Sequence, residues 1–353
     1  MSNGPQGASS TGGGLDLIGV SHDYGARRAV SDITFHVAPG EILGLLGPSG
    51  CGKSTTLRLA AGLEDLQTGE VKIGGKTVAG TGVSVPTERR HVGMVFQDHA
   101  LFPHLSVAQN IGFGLNHLEA GERRARIERW ATRLGLAQHI DSYPHRLSGG
   151  EQQRVALARA MAPEPSVMLL DEPFSSLDSR LRDQIRDETV EVLKQAGTAT
   201  LLVTHDPEEA MRMGDRIAIM QAGRIEQLDT PARVYASPAT PFTARFLSET
   251  NEMPVRVAQG AVETPFGRLP ATMPDGAGLL MFRPEALQES GAGTGPAFTV
   301  ERATALGAYR RLEISDGRGL RLAARLPAGP LPLAGTVLHF GLNPDFCFVF
   351  PAA

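Results

Sequence analysis

The sequence is poor in cysteine and aromatics and holds no long apolar run, and each scarcity closes off a class of protein. Its 353 residues include two cysteines, Cys51 and Cys347, too few for a disulfide framework and too far apart for a metal-binding pair. Cysteine usage this sparse fits a chain that stays in the reducing cytoplasm. Nowhere do the roughly 18 consecutive apolar residues of a membrane-spanning helix occur. Aromatics make up 5% of the chain, which leaves little material for a base-stacking platform. Neither charge sign dominates: 34 Lys and Arg face 38 Asp and Glu, a formal net charge of −4. A nucleic-acid partner, which needs a basic face, is not expected. Residues 1–14 are Gly/Ser-rich without an apolar core, so they read as a disordered tail and not a secretory signal.

What the chain has in quantity is turn chemistry, with 41 Gly and 24 Pro. The length suits two domains. From Leu15 to about Gln227 buried strand runs (Ile42–Leu46, Val167–Leu170, Thr200–Val203) alternate with helical segments, the pattern of a mostly parallel α/β sheet covered on both faces. Ser237-Pro238-Ala239-Thr240-Pro241 interrupts regular structure before a last short helix, Phe242–Leu247. Beyond Met253 the pattern alternates with period two, and Asp316-Gly317 between Leu312-Glu313-Ile314 and Leu320-Arg321-Leu322 marks a hairpin. The expectation is an α/β domain over 15–247 and an all-β barrel or sandwich over 252–353.

Gly47-Pro48-Ser49-Gly50-Cys51-Gly52-Lys53-Ser54 is the strongest signal. It fits G-x-x-x-x-G-K-[ST] between a strand and a helix, the context in which such a loop cradles phosphates. Glycines let successive N–H groups converge on phosphate oxygens, and the helix N-terminus adds its positive end. Lys53 brings a point charge to the β- and γ-phosphates, while the Ser54 hydroxyl suits Mg²⁺. Further along, Val167-Met168-Leu169-Leu170 delivers Asp171 and Glu172 at a strand end. Adjacent strand residues face opposite ways, so Asp171 is expected on the metal and Glu172 on the attacking water as general base. Leu147-Ser148-Gly149-Gly150-Glu151-Gln152 opens a helix with two glycines, which leaves N–H groups bare for a second anion. Ser148 and Glu151 also fit a capping box, and the two roles are compatible. One nucleotide needs one phosphate loop, so the second anion site points to a phosphate held by another copy of the chain.

With these motifs in this order, residues 15–247 resemble the ATPase subunit of ABC transporters. The resemblance implies ATP and Mg²⁺ as cofactors, a head-to-tail homodimer and ATP hydrolysis coupled to transport. By motif it places Tyr24 on adenine and the loop from Gly47 to Thr55 on the phosphates. It makes Gln97 a Q-loop residue near Mg²⁺ and water, and Ser148, Gly149 and Gly150 the signature that caps the partner's nucleotide. Ser176-Leu177-Asp178 becomes the D-loop and His205 the switch histidine. Lys53, Glu172 and His205 are then the catalytic set, and Ser54, Gln97 and Asp171 the metal set.

Leu101-Phe102-Pro103-His104-Leu105-Ser106-Val107 resembles importers of the maltose, spermidine, sulfate and ferric-iron type. Those carry a C-terminal transport-associated OB domain, which Met281-Phe282-Arg283-Pro284-Glu285 resembles. Phe246-Leu247-Ser248-Glu249-Thr250-Asn251 is most similar to the ferric-iron subgroup, with polyamine, phosphonate, sulfate and sugar uptake as alternatives. The expected partners are membrane permease subunits, docked near Phe102 and Leu105, and indirectly a solute-binding protein. The expected place is the cytoplasmic face of the cell membrane, as a peripheral subunit. The competing class is a soluble ABC-type ATPase acting on nucleic acid or ribosomes. Between Asp98 and Leu147, however, there are no sustained heptads for the coiled coil of repair members. A single P-loop likewise disagrees with the two-cassette translation factors.

Overall fold

The computed structural model describes residues 13–175, 177, 179–291 and 293–352. Nearly all of the expected tail, and Ser176 and Asp178 of the expected D-loop, lie outside the described residues. The chain divides into two compact units, 1–231 and 232–353.

In the first unit a six-stranded sheet runs in the order Arg224–Asp229, Arg216–Gln221, Ile42–Leu46, Ala199–Thr204, Val167–Asp171, Val92–Val95. All neighbours are parallel except the antiparallel edge pair at 216–229. Ile42–Leu46 and Ala199–Thr204 are buried at every position. That is why they read as unbroken apolar runs instead of alternating ones. Register matters here: Leu46 lies opposite Thr204, and Asp171 opposite Val203, so three strands end side by side. Ligands bind at such carboxyl ends in open α/β sheets.

A second, wholly antiparallel sheet of five strands joins Arg27–Val37, Leu15–Tyr24, Thr68–Ile73, Lys76–Gly80 and Val83–Ser84. The mostly parallel expectation covers the first sheet and misses this one. Its longest pairing, Leu15–Tyr24 with Arg27–Val37, is broken by three register shifts, which blurs the period-two signal. The helices Val107–Ile111, Ala120–Arg133, Gly149–Met161 and Ser179–Ala196 contribute to an apolar core with Val95, Trp130, Leu157, Leu170 and Leu202.

The second unit holds two five-stranded sheets whose pairings are all antiparallel. Their shared core includes Val262, Leu280, Phe282, Phe298, Leu312 and Phe340. The hairpin at Asp316-Gly317 forms with Ser315 opposite Arg321, and Asp316 Oδ1 accepts from the backbone N–H groups of Arg318 and Leu320. The Arg-Pro-Glu segment follows the strand Gly276–Phe282. Arg283 is fully buried and ties the helix Pro241–Leu247 to the sheet: Nη1 donates to the Ala244 carbonyl (2.6 Å) and to Ser248 Oγ (3.0 Å).

Candidate functional site

The site begins where the strand Ile42–Leu46 turns into the helix Lys53–Ala61. Two glycines there are dictated by contact. A Cβ on Gly47 would sit 2.3 Å from the Met220 carbonyl oxygen, and one on Gly52 2.4 Å from that of Ala29, with φ of +109° at Gly52. Gly52 also caps the helix without any side-chain acceptor, so the first-turn N–H groups face outward, the arrangement that receives phosphate. Cys51 is different in kind. Its side chain packs into the apolar core below the loop, and burial pushes the thiol pKa up, so only its backbone serves the loop.

Lys53 is 5% exposed and donates from Nζ to the carbonyls of Gly47 (2.7 Å) and Pro48 (3.0 Å). Ser54 Oγ donates to Asp171 Oδ1 at 3.1 Å. Burial raises the Asp171 pKa against the Ser54 hydrogen bond, and the neighbouring charge of Glu172 adds to the rise. A hydroxyl and a carboxylate converging beside a phosphate loop are hard oxygen donors, and this pair fits Mg²⁺.

The strand ends at Asp171, and Glu172 does not continue its pleat. Its φ is +46°, held by a hydrogen bond from its N–H to the Val203 carbonyl (2.9 Å). The two carboxylates are thus parted by a left-handed turn and not by strand alternation, as the sequence reading had it. Glu172 Oε2 lies 3.0 Å from His205 Nδ1, the residue following the strand Ala199–Thr204. His205 is followed by Asp206, whose Oδ1 caps the helix Pro207–Met213 and whose Oδ2 pairs with Arg186 (2.8 Å).

A cavity of about 280 Å³ opens on these groups, lined by Tyr24, Arg27, Ser49, Lys53, Ser54 and Glu172 among others. Tyr24 is 44% exposed at the end of its strand and meets His22 edge-on at 4.7 Å, leaving a ring face open for stacking. Arg27 is the residue that sequence reasoning missed. It pairs with Tyr24 across the two-residue turn Gly25-Ala26 and donates to the Gly50 carbonyl at 3.2 Å. A tight turn after the aromatic is the signal that could have found it.

Two expected groups lie elsewhere. Gln97 follows the strand Val92–Val95, is exposed, and takes no hydrogen-bond partner among the described residues. Ser148 caps the helix Gly149–Met161, its hydroxyl engaged in a capping box with Glu151. Ser148 and Gly149 are exposed, and neither they nor Gly150 line the cavity at the P-loop.

Two family profiles match the chain. The profile described as ABC transporter matches residues 30–175, and that of the TOBE domain matches residues 280–350. An Fe(3+) ions import ATP-binding protein of Haemophilus influenzae is 43% identical over 277 residues, 77% of this chain and 79% of the relative. A sulfate/thiosulfate import ATP-binding protein of Xanthomonas campestris is 44% identical over 351 residues, 94% of this chain and 99% of the relative. An sn-glycerol-3-phosphate import ATP-binding protein of Cereibacter sphaeroides is 41% identical over 282 residues. Among solved structures, an ATP-binding cassette captured as a dimer in a post-hydrolysis state with ADP and Pi matches with a TM-score of 0.53 and 30% identity, covering 62% of this chain and 98% of that one. A phosphate loop, the carboxylates beside it, the cassette profile and the C-terminal β domain thus converge: the chain belongs to the ABC transporter family, as an import-type ATPase subunit with a TOBE domain.

Proposed function

We propose that two copies of this chain close head to tail around two MgATP molecules and drive a membrane permease that takes up Fe(3+). The observation that carries the reading is the gathering of Lys53, the Ser54–Asp171 pair and the Glu172–His205 pair at one sheet edge. The exposed Ser148–Gly149 helix start has no counterpart in its own site, which supports its use by a second copy.

Tyr24 stacks on adenine, and the N–H groups of the loop from Gly47 to Thr55 receive the phosphates. Lys53 leaves the loop carbonyls for the β- and γ-phosphate oxygens. Ser54 and Asp171 would hold Mg²⁺, with Gln97 as a further ligand, and the ion would neutralise charge on the β- and γ-phosphates. Glu172 accepts a proton from the water whose oxygen attacks the γ-phosphorus, and the bond to the β-bridging oxygen breaks to release ADP. His205 orients the Glu172 carboxylate through the 3.0 Å contact and faces the γ-phosphate. Ser148, Gly149 and Gly150 of the second copy cap that phosphate. Closure turns the permease outward, and hydrolysis resets it. The chain acts at the cytoplasmic face of the membrane, alongside a solute-binding protein on the other side.

Glu172→Gln tests the assignment. Turnover should fall by roughly 10²–10⁴-fold with ATP binding kept, and the variant should run as a dimer with ATP on size exclusion. Near-normal turnover, or a monomer under saturating ATP, would refute it. The cargo is tested separately by uptake of labelled Fe(3+) and labelled sulfate in cells lacking the chain. Loss of iron uptake supports the reading. Loss of sulfate uptake with iron intact would favour the second reading, to which the 94% coverage of the sulfate/thiosulfate relative points.

A further inference from the structure

The helix Gly149–Met161 does more than present Ser148. Gln152 and Arg159 lie seven residues apart, two turns on one face, and both reach the loop that follows Gln97. Arg159 donates from Nη1 to the Ala100 carbonyl (2.7 Å) and from Nη2 to the His99 carbonyl (2.9 Å). Its guanidinium lies over the Phe102 ring at 5.3 Å. Gln152 hydrogen-bonds the buried imidazole of His99 and donates from Nε2 to the carbonyls of Pro144 (3.1 Å) and Leu147 (3.2 Å), the residues leading into Ser148. His99 and Ala100 have φ of +61° and +44°. Residues with a Cβ disfavour that region, and a loop holds it only where its surroundings over-determine the backbone. The planar guanidinium fork on two successive carbonyls does so here.

We propose that Arg159 is a positioning residue for Gln97, clamping loop 98–100 to the helix that begins at Ser148. In the function proposed above, Gln97 serves the nucleotide of its own chain and Ser148 that of the other copy. The clamp makes them parts of one rigid element, so a grip on Ser148 at one site sets Gln97 at the other. The proposal rests on the reading of Gln97 as a metal-facing residue.

Arg159→Lys keeps the charge but loses the fork that spans both carbonyls. In the full chain, amide hydrogen exchange over residues 97–102 should quicken by roughly tenfold. With a non-hydrolysable ATP analogue, the Mn²⁺ concentration that half-saturates the site, read by electron paramagnetic resonance, should rise about fivefold. Metal-free nucleotide affinity should stay within about twofold, since the phosphate loop is untouched. Gln97→Ala should raise the Mn²⁺ requirement similarly, and the double variant should add nothing. Unchanged exchange, unchanged Mn²⁺ binding in Arg159→Lys, or additive effects would overturn the clamp while leaving the Gln97 reading intact. No effect of Gln97→Ala would sink that reading, and the clamp's purpose with it. Arg159→Gln, which retains donors for one carbonyl, should shift both readouts part of the way, and it replaces the lysine variant if that one melts early.

Discussion

Arg283 offers the sharpest test of how the second unit is held together. Its side chain is fully buried, and no carboxylate lies within ion-pairing distance among the described residues. Burial pushes its pKa down, against the charge of nearby Glu285; in contact the cation is held by dipoles and rings: Ala244 and Ser248 accept its hydrogen bonds, and the Tyr235 ring lies 4.4 Å from the guanidinium carbon. Each charge-assisted hydrogen bond is worth about 1.5–3 kcal/mol, and a desolvated cation–π contact about 2 kcal/mol. Against these stands a desolvation penalty of several kcal/mol for the cation, so the net loss in Arg283→Met should be about 3 kcal/mol. Arg283→Ala also removes the stem that packs under the helix, adding about 2 kcal/mol. The assay is urea unfolding of the full chain. Trp130, the single tryptophan, belongs to the first unit and reports that unit by fluorescence. Far-UV circular dichroism follows both units. The dichroism transition of the β unit should move to lower urea in Arg283→Met and further in Arg283→Ala, with the Trp130 transition unmoved. A Met variant within about 0.5 kcal/mol of the parent, a shift expected of an ordinary surface site, would refute the reasoning.

Two further outcomes follow from the first unit. Gly52→Ala forces a Cβ to 2.4 Å from the Ala29 carbonyl oxygen at a φ of +109°, so the loop must open; ATP affinity should drop by at least about tenfold in equilibrium titration. Gly50→Ala, at φ +78° with only the Arg27 side-chain end 3.4 Å away, should lose clearly less, and equal losses would argue against backbone contact as the cause. Glu209 is 4% exposed, and burial raises its pKa to about 7 although Arg186 pulls it down. The folded value exceeds the unfolded one, so this group's contribution is present at low pH and is lost as pH rises through 7, by about 3 kcal/mol at most. Glu209→Gln should flatten the thermal stability profile between pH 4.5 and about 7, the span between the unfolded and folded values; an unchanged slope there would place the titration elsewhere.

The phosphate loop was legible because its chemistry is local: glycine spacing, a lysine and a hydroxyl within eight residues. Asp171 and Glu172 were legible for the same reason, as polar residues ending a buried run. The turn between them was not, since a left-handed glutamate is imposed by Val203 on a neighbouring strand and by nothing in its own segment. Arg27 and Arg159 went unread because their partners, Gly50 and the His99–Ala100 carbonyls, lie 23 and about 60 residues away. The antiparallel sheet over residues 15–84 was hidden by its register shifts. Arg283 showed up as a motif, but its burial could be seen only once the helix Pro241–Leu247 was in place above it.

Both native sulfhydryls are quiet. Cys51 is sealed beneath the phosphate loop with its pKa raised, and burial carries that of Cys347 to about 12. At neutral pH neither is a thiolate, the form that alkylating labels attack. The chain is therefore already a near-silent background for spectroscopic tags: a cysteine introduced at exposed Gly121, where an added Cβ meets nothing within 4 Å, would react first, and the distance between two such tags would report the closing proposed above.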